Sequence, residues 1–189
     1  TNPFKSGNFI IKNLQIGYTG AIYPVNPRYE TIDGLKCYPS VLDCPDPVDL
    51  AIVFIPAEQA PQAVADCAKR GLKGVMIESS GFGEVGPQGE TLQADLVRIA
   101  GQTGIRIWGP NCMGLVDAVN RRIFSFIVAR AFENRLLPGD VSLIVQSGML
   151  SAGFLVDIMS HGVMGVSKVC SIGNKLDVNE CDVLPFLID

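Results

Sequence analysis

The sequence predicts an α/β fold, with a parallel sheet covered by helices on both faces and then the start of a second α/β unit. Two observations predict it. Short apolar runs alternate with amphipathic stretches of about a dozen residues, the pattern of repeated strand–helix–strand units. The runs end in Gly, Pro, Asn or Ser clusters, which suit the loops between such units. The 189 residues are 48% hydrophobic and 18% charged, ample for a packed core.

Residues 3–16 read as a helix, with Phe9, Ile10, Leu14 and Ile16 near a 3.6-residue period. Residues 21–24 read as a strand running into the stiff loop Val25-Asn26-Pro27-Arg28. Residues 35–44 give a turn and a short helix. Residues 50–55 form a continuous apolar run, as in a strand buried on both faces, ending at Pro56-Ala57. Residues 58–70 form an Ala-rich helix stopped by Gly71. Residues 74–78 give the next strand, leading into Ser79-Ser80-Gly81-Phe82-Gly83. Residues 89–101 are helical, and residues 105–108 form a strand entering Gly109-Pro110-Asn111-Cys112-Met113-Gly114.

The alternation then breaks. Residues 115–137 read as a linker with short strands, and a second unit begins. It has a strand at 141–145, a turn at Gln146-Ser147-Gly148, a helix at 149–160, a strand at 165–171 and a turn at Gly173-Asn174-Lys175. A final helix, 180–188, is interrupted by Pro185. Both ends read as the middle of something longer.

Fifteen basic against nineteen acidic residues give a net charge of −4, so no broad basic surface invites a nucleic acid. Apolar runs stop far short of the ~20 residues that cross a bilayer. Six cysteines without a Cys-x-x-Cys pair, beside a single histidine, argue against a zinc cluster. Scattered cysteines in apolar runs suit a reducing cytoplasm.

In parallel sheets, ligands bind at the carboxyl ends of the strands. Those ends here are residues 24–28, 56–59, 78–81 and 109–114. Each carries a loop suited to polar contacts, and together they fit one elongated phosphate-bearing ligand. Singly they say less. Ser147-Gly148 opens a helix, where free amides and the helix dipole favour an anion, but it also reads as an ordinary N-cap serine. Arg28 offers a planar fork to a phosphate, or is a solvated surface arginine. Residues 79–83 either wrap a phosphate or pantetheine chain or form a plain loop. Cys112 has no histidine nearby in sequence and reads better as a packing residue than as a nucleophile. His161 reads as a helix C-terminal residue favouring the dipole. Trp108 packs at its strand end, and Met149, Met159 and Met164 read as core.

Several motifs resemble the NDP-forming acyl-CoA synthetases (acetate–CoA ligase type), relatives of the succinyl-CoA synthetase α subunit. They are Gly17-Tyr18-Thr19-Gly20 with Ile22 to Arg28, then Gly109-Pro110-Asn111-Cys112-Met113-Gly114, Pro138-Gly139 with Val145-Gln146-Ser147-Gly148, and Ser171-Ile172-Gly173-Asn174-Lys175 with Asp177-Val178. They occur in the family's order and cover nearly the whole chain. The resemblance implies a Rossmann-like CoA-binding domain over residues 1–125, its first strand missing, and the start of a flavodoxin-like domain over residues 126–189. It implies CoA contacts at Val25, Asn26, Pro27, Arg28, Pro56, Ala57, Glu78, Ser79 and Ser80. It places Asn111 and Cys112 near the reacting thioester, and Ser147 and Gly148 at the phosphate of a phosphohistidine. Ala152 stands where the family has a tyrosine touching succinate, which implies a different acyl group.

The same resemblance implies a reaction in three steps: phosphate attacks an acyl-CoA thioester, a histidine takes the phosphoryl group from the acyl phosphate, and ADP or GDP accepts it in an ATP-grasp domain with Mg²⁺. The family's glycine-rich first turn has no match here. Its histidine lies beyond Asp189 and is not His161, so this chain alone is expected to be inactive. CoA, acyl-CoA, an ATP-grasp partner and oligomerisation are implied; a membrane is not. Two other readings stand beside it. One is a regulatory CoA-binding module of a protein acetyltransferase. The other is an NAD(P)-dependent oxidoreductase, which needs an acidic residue where Val25-Asn26-Pro27-Arg28 has none.

Overall fold

The computed structural model describes residues 6–127, 136–162 and 164–188. Helix α1 spans Ser6–Gly17, and a short hairpin pairs β1 (Thr31–Ile32) with β2 (Leu35–Lys36). The first larger sheet is wholly parallel: β3 (Leu50–Val53), β4 (Gly74–Ile77) and β5 (Arg106–Trp108), in that order. Helices α2 (Ala60–Arg70) and α3 (Pro87–Thr103) form the crossovers, with Pro61 and Pro87 in their first turns. Both stop at left-handed glycines, Gly71 at φ 92° and Gly104 at φ 75°. Val64, Val75, Ile77, Phe82, Leu96 and Ile107 are fully enclosed between these layers. Each such side chain contributes about 1.5–3 kcal/mol by leaving water.

The strand expected at 21–24 does not join this sheet. Its neighbour Val25 makes one isolated parallel bridge, to Tyr38, flanked by hydrogen bonds from Tyr38 N to Pro24 O (2.9 Å) and Asn26 N to Tyr38 O (2.8 Å). Pro24 and Pro27 have no N–H to donate, so a continuous ladder cannot form. Residues 35–44 supply β2 and a 3-10 turn at Val41–Asp43.

The second sheet is mixed. It contains β6 (Gly114–Asp117), β7 (Arg122–Phe124), β8 (Pro138–Val145) and β9 (Val166–Ser171) in the order β7-β6-β9-β8. β6 runs antiparallel to both β7 and β9, while β8 and β9 are parallel. Thus residues 115–124, read from sequence as linker, belong to the antiparallel half of this sheet. Asp117 closes their turn by accepting from Asn120 N (3.0 Å) and Nδ2 (2.8 Å). Residues 128–135 of the expected linker lie outside the described residues.

Helix α1 also belongs with this sheet. Asn13 Nδ2 donates to Ser125 O (2.7 Å) and Ile127 O (2.6 Å), and Ile16 packs into the second core with Val116, Ile123 and Leu155. Helix α4 (Gly148–His161) lays Leu155, Ile158 and Met159 on that core. Met149, expected inside, is 83% exposed because the first turn of α4 carries it at the cleft and not on the core. Met159 is buried and Met164 is packed at the core margin. Pro185 divides the last helix as expected, into α5 (Glu180–Val183) and α6 (Pro185–Ile188).

The two sheets meet at a joint of backbone. Leu176 N donates to Gly109 O (3.0 Å), Asn174 N to Pro110 O (2.9 Å) and Val178 N to Ile107 O (3.1 Å). Trp108 Nε1 donates to Ser171 O (2.7 Å), and Met113 N to Ser171 Oγ (3.1 Å). Gly173, at φ 58°, lies so close to the carbonyls of Pro110 and Asn111 that a Cβ has no room. Gly173→Ala is therefore expected to lower stability by more than ~2 kcal/mol in a denaturant titration. Gly101→Ala, in open space within α3, is expected to raise it by about 0.5–1 kcal/mol.

Candidate functional site

The carboxyl ends of β3, β4 and β5 face the start of α4 across a cleft of about 740 Å³. Seven residues singled out from the sequence line it: Glu78, Ser79, Ser80, Asn111, Cys112, Ser147 and Gly148. The loop after β4 brings the first three. The cis Gly109–Pro110 turn brings the next two, with Asn111 in the left-handed region at φ 56°, which asparagine tolerates. Asn111 N donates to Ser79 O (2.9 Å), so these two rims are directly bonded.

Ser147 is the N-cap of α4, its Oγ accepting from Leu150 N at 3.3 Å. The ordinary capping role and an exposed helix start coexist here, because the cap satisfies one of several free amides. The remaining N–H groups and the dipole make this wall of the cleft favourable to an anion.

Glu78 is the odd group. It extends the sheet, its N donating to Val53 O at 3.0 Å, yet neither carboxyl oxygen has a hydrogen-bond partner among the described residues. Burial pushes its pKa well above the usual carboxyl range, favouring the protonated form. Ser79 Oγ beside it is also buried and unpartnered. Cys112 donates its thiol to Ile77 O at 3.3 Å. Burial, then the proximity of Glu78, pushes that thiol far above the ordinary range. It is a neutral packing group, as its sequence context suggested, and no activated nucleophile.

The other predicted contacts stand outside the lining of the cleft. Ala57 is buried, and its Cβ lies only 2.9 Å from where a Cβ on Gly81 would sit, so it acts by supporting the 79–82 loop from beneath. Pro56 precedes it, exposed. Val25, Asn26, Pro27 and Arg28 form a separate exposed loop. There Asn26 Oδ1 accepts from Arg28 N (2.9 Å), and the Arg28 guanidinium makes no ion pair among the described residues.

Seven further lining residues carry no contact assignment from the sequence, Phe54, Phe126 and Asn174 among them. Phe54 and Phe126 stack across the cleft mouth with centroids 5.3 Å apart. Phe54 continues the apolar run of β3, and nothing local distinguishes it from core. Asn174 joins the two rims: its Oδ1 accepts from Asn111 Nδ2 (3.3 Å) and its Nδ2 donates to Glu84 Oε2 (2.6 Å). His161 is not at the cleft. It ends α4, about 20 Å from Ser147 at 1.5 Å rise per residue, with Nδ1 3.0 Å from Asp157 O. Among the described residues no His, Cys, Asp and Glu cluster could hold a metal, and no helix is long and apolar enough to cross a membrane.

A parallel sheet whose loop ends oppose a helix N-terminus defines a protein for a nucleotide-like, anionic ligand. Comparison with known families makes that specific. Residues 1–118 match the CoA binding domain, and residues 138–189 match the succinyl-CoA ligase like flavodoxin domain. The chain belongs to the CoA binding domain family and is of the ADP-forming acyl-CoA ligase type, carrying both of these domains in order.

Among its relatives is acetate–CoA ligase [ADP-forming] II of Archaeoglobus fulgidus, 43% identical over 97% of this chain and 27% of that protein. The α subunit of acetate–CoA ligase [ADP-forming] II of Pyrococcus furiosus is 38% identical over 100% of this chain and 40% of that one. Among solved structures, the dinucleotide forming acetyl-coenzyme A synthetase 1 of Ca. Korarchaeum cryptofilum, with phosphate and ADP, superposes with a TM-score of 0.89. It is 37% identical over 99% of this chain and 39% of that one. The chain thus spans between about a quarter and two-fifths of the length of these proteins.

Two measurements check the electrostatics. Burial raises the Glu78 pKa in the folded chain above its unfolded value of about 4.3, so Glu78 erodes stability as pH rises from there towards its raised native value. Glu78→Gln cannot ionise. Its stability relative to the parent is expected to climb above pH ~4.3, by at most about 1.4 kcal/mol per pH unit, in denaturant titrations across pH. In native thiol labelling, exposed Cys181 is expected to react promptly and buried Cys112 only on unfolding.

Proposed function

We propose that the chain is the CoA-binding and ligase-like portion of an ADP-forming acyl-CoA synthetase, which interconverts acyl-CoA, ADP and phosphate with the free acid, CoA and ATP. One observation carries this reading: seven residues chosen from the sequence for CoA, thioester and phosphate contacts line a single cleft of about 740 Å³.

In this reading CoA runs along the strand ends, its phosphates towards Arg28 and its pantetheine past Ser79 and Ser80. Val25, Asn26 and Pro27 shape the loop that presents Arg28, and Pro56 and Ala57 carry the floor. The thioester lies by Asn111 and Cys112, and inorganic phosphate sits at the Ser147-Gly148 helix start. An oxygen of phosphate attacks the thioester carbonyl, the C–S bond breaks, and CoA leaves as the thiol with a proton. The resulting acyl phosphate passes its phosphoryl group to a histidine supplied from elsewhere and then to ADP. Within this chain catalysis is positioning plus stabilisation of charge by fixed amides. Burial keeps the Cys112 thiol neutral and disfavours the charged form of Glu78, which limits competing negative charge in a site that must accept an anion.

The same reading places the nucleotide and Mg²⁺ in an ATP-grasp domain or subunit, divides the chain at residues 1–125 and 126–189, and puts the enzyme in the cytoplasm as an oligomer. Free thiols at all six cysteines suit such a compartment.

Calorimetric titration tests it. CoA is expected to bind, and Arg28→Ala to weaken it about three- to tenfold, the range for one partly screened charge-assisted phosphate contact. NADH binding with none for CoA would overturn the reading and restore the oxidoreductase alternative.

A further inference from the structure

The loop after β4 turns sharply at Gly81 (φ 110°), which leaves the amides of Gly81 and Phe82 without a strand partner. Both point to one oxygen: Glu84 Oε1 accepts from Gly81 N at 2.6 Å and from Phe82 N at 3.1 Å. The other oxygen, Oε2, accepts from Asn174 Nδ2 at 2.6 Å. Asn174 stands on the turn that follows β9, in the second sheet's half of the molecule, and its Oδ1 takes a hydrogen bond from Asn111 Nδ2. Its Nδ2 also lies 3.3 Å from Gln93 Oε1, which accepts from Gly83 N at 3.3 Å.

Every group aimed at Glu84 is a donor. Only an acceptor-only side chain satisfies them all, and a carboxylate is that group. Among the described residues it has no ion pair, so its charge is held by oriented amides alone. Partial burial disfavours the charge, but the bonds from Gly81, Asn174 and Phe82 outweigh it and hold the carboxyl below its usual range. Ser79 and Ser80 immediately precede Gly81, Asn111 lies beside them on the strand-end side, and Asn174, in the second half, lines the same cleft.

We propose that Glu84 is a positioning residue: its carboxylate straps the Ser79–Phe82 loop of the parallel sheet to Asn174 of the second half, and so fixes the two rims of the cleft at the spacing its ligand requires. Its effect on ligand binding rests on the reading of the cleft as a CoA site; the strap itself does not. A strap of this kind raises affinity by removing the cost of ordering the loop when the ligand arrives. It acts through the loop and does not touch the reacting atoms.

A donor–acceptor exchange tests it. Asn174→Asp sets a second acceptor against Glu84 and is expected to speed amide hydrogen exchange at Gly81 and Phe82 about tenfold, and to weaken CoA about tenfold, as for one lost charge-assisted bond. Adding Glu84→Gln to Asn174→Asp restores a donor facing an acceptor. The double variant is expected to recover both readouts to within about threefold of the parent, because the rebuilt bond again joins an amide donor to a carboxylate. A residue that merely stabilised the fold would make the two substitutions additive. Unchanged exchange in Asn174→Asp, or no recovery in the double variant, overturns the strap. Should Asn174→Asp fail to fold, folding of the double variant is the same rescue, and its failure the same refutation. If the parent does not bind CoA, the ligand reading falls, and the exchange data alone decide on Glu84.

Discussion

The structure depends on one close approach of main chain to main chain. The turn from Gly109 to Met113 leaves the parallel sheet and enters the mixed one within a few residues, and it is hydrogen-bonded to both sides throughout. Such an approach leaves no space for side chains at Gly109, Gly114 or Gly173. A Cβ at Gly114 would press on the Phe124 carbonyl and come within 2.6 Å of Glu78 Oε1. These glycines do more than permit a turn. They bring the loop of β4, the start of α4 and the turn after β9 to a common edge, and the cleft is the space that remains between them.

That edge is built almost wholly from uncharged groups and main-chain dipoles. Burial disfavours the charged forms of Glu78 and Cys112, and the carboxylate of Glu84 is wrapped in donors. The cations of the region are used elsewhere. Lys175 is tied to Glu180 at 2.8 Å, and Arg106 to Asp177 and Asp182 at 2.9 and 3.1 Å. An anion entering the cleft therefore meets fixed amides instead of mobile ammonium groups. Such amides need little rearrangement to receive it.

Local rules made much of this readable in advance. The apolar runs of β3, β4 and β5, and the left-handed glycines that end α2 and α3, are signals carried by a few adjacent residues. The strand ends of a parallel sheet are where ligands bind, so topology marked residues 78–81 and 109–114 as candidates, while the particular roles of Glu78, Ser79, Ser80, Asn111 and Cys112 came from the family resemblance. What escaped the sequence depends on distant partners. Whether β6 and β7 are linker or sheet is decided by β9, about fifty residues on. That α1 packs beside β7 rests on Asn13 reaching carbonyls more than a hundred residues away. Pro24 and Pro27 carried a legible warning against a ladder at residues 21–24, and the apolar run there outweighed it. Glu84 and Asn174 look like ordinary surface polar residues until the turns that bear them are brought together, 90 positions apart.

The lone tryptophan of the chain sits at this joint, half-buried, its ring nitrogen donating to the carbonyl that ends β9. An indole in that position is a native optical gauge of whether the two halves are together. Parting them would replace the Ser171 carbonyl with solvent and move the emission to longer wavelength, with no other indole to obscure the signal. Any separation of the two halves would thus show in intrinsic fluorescence, without a label.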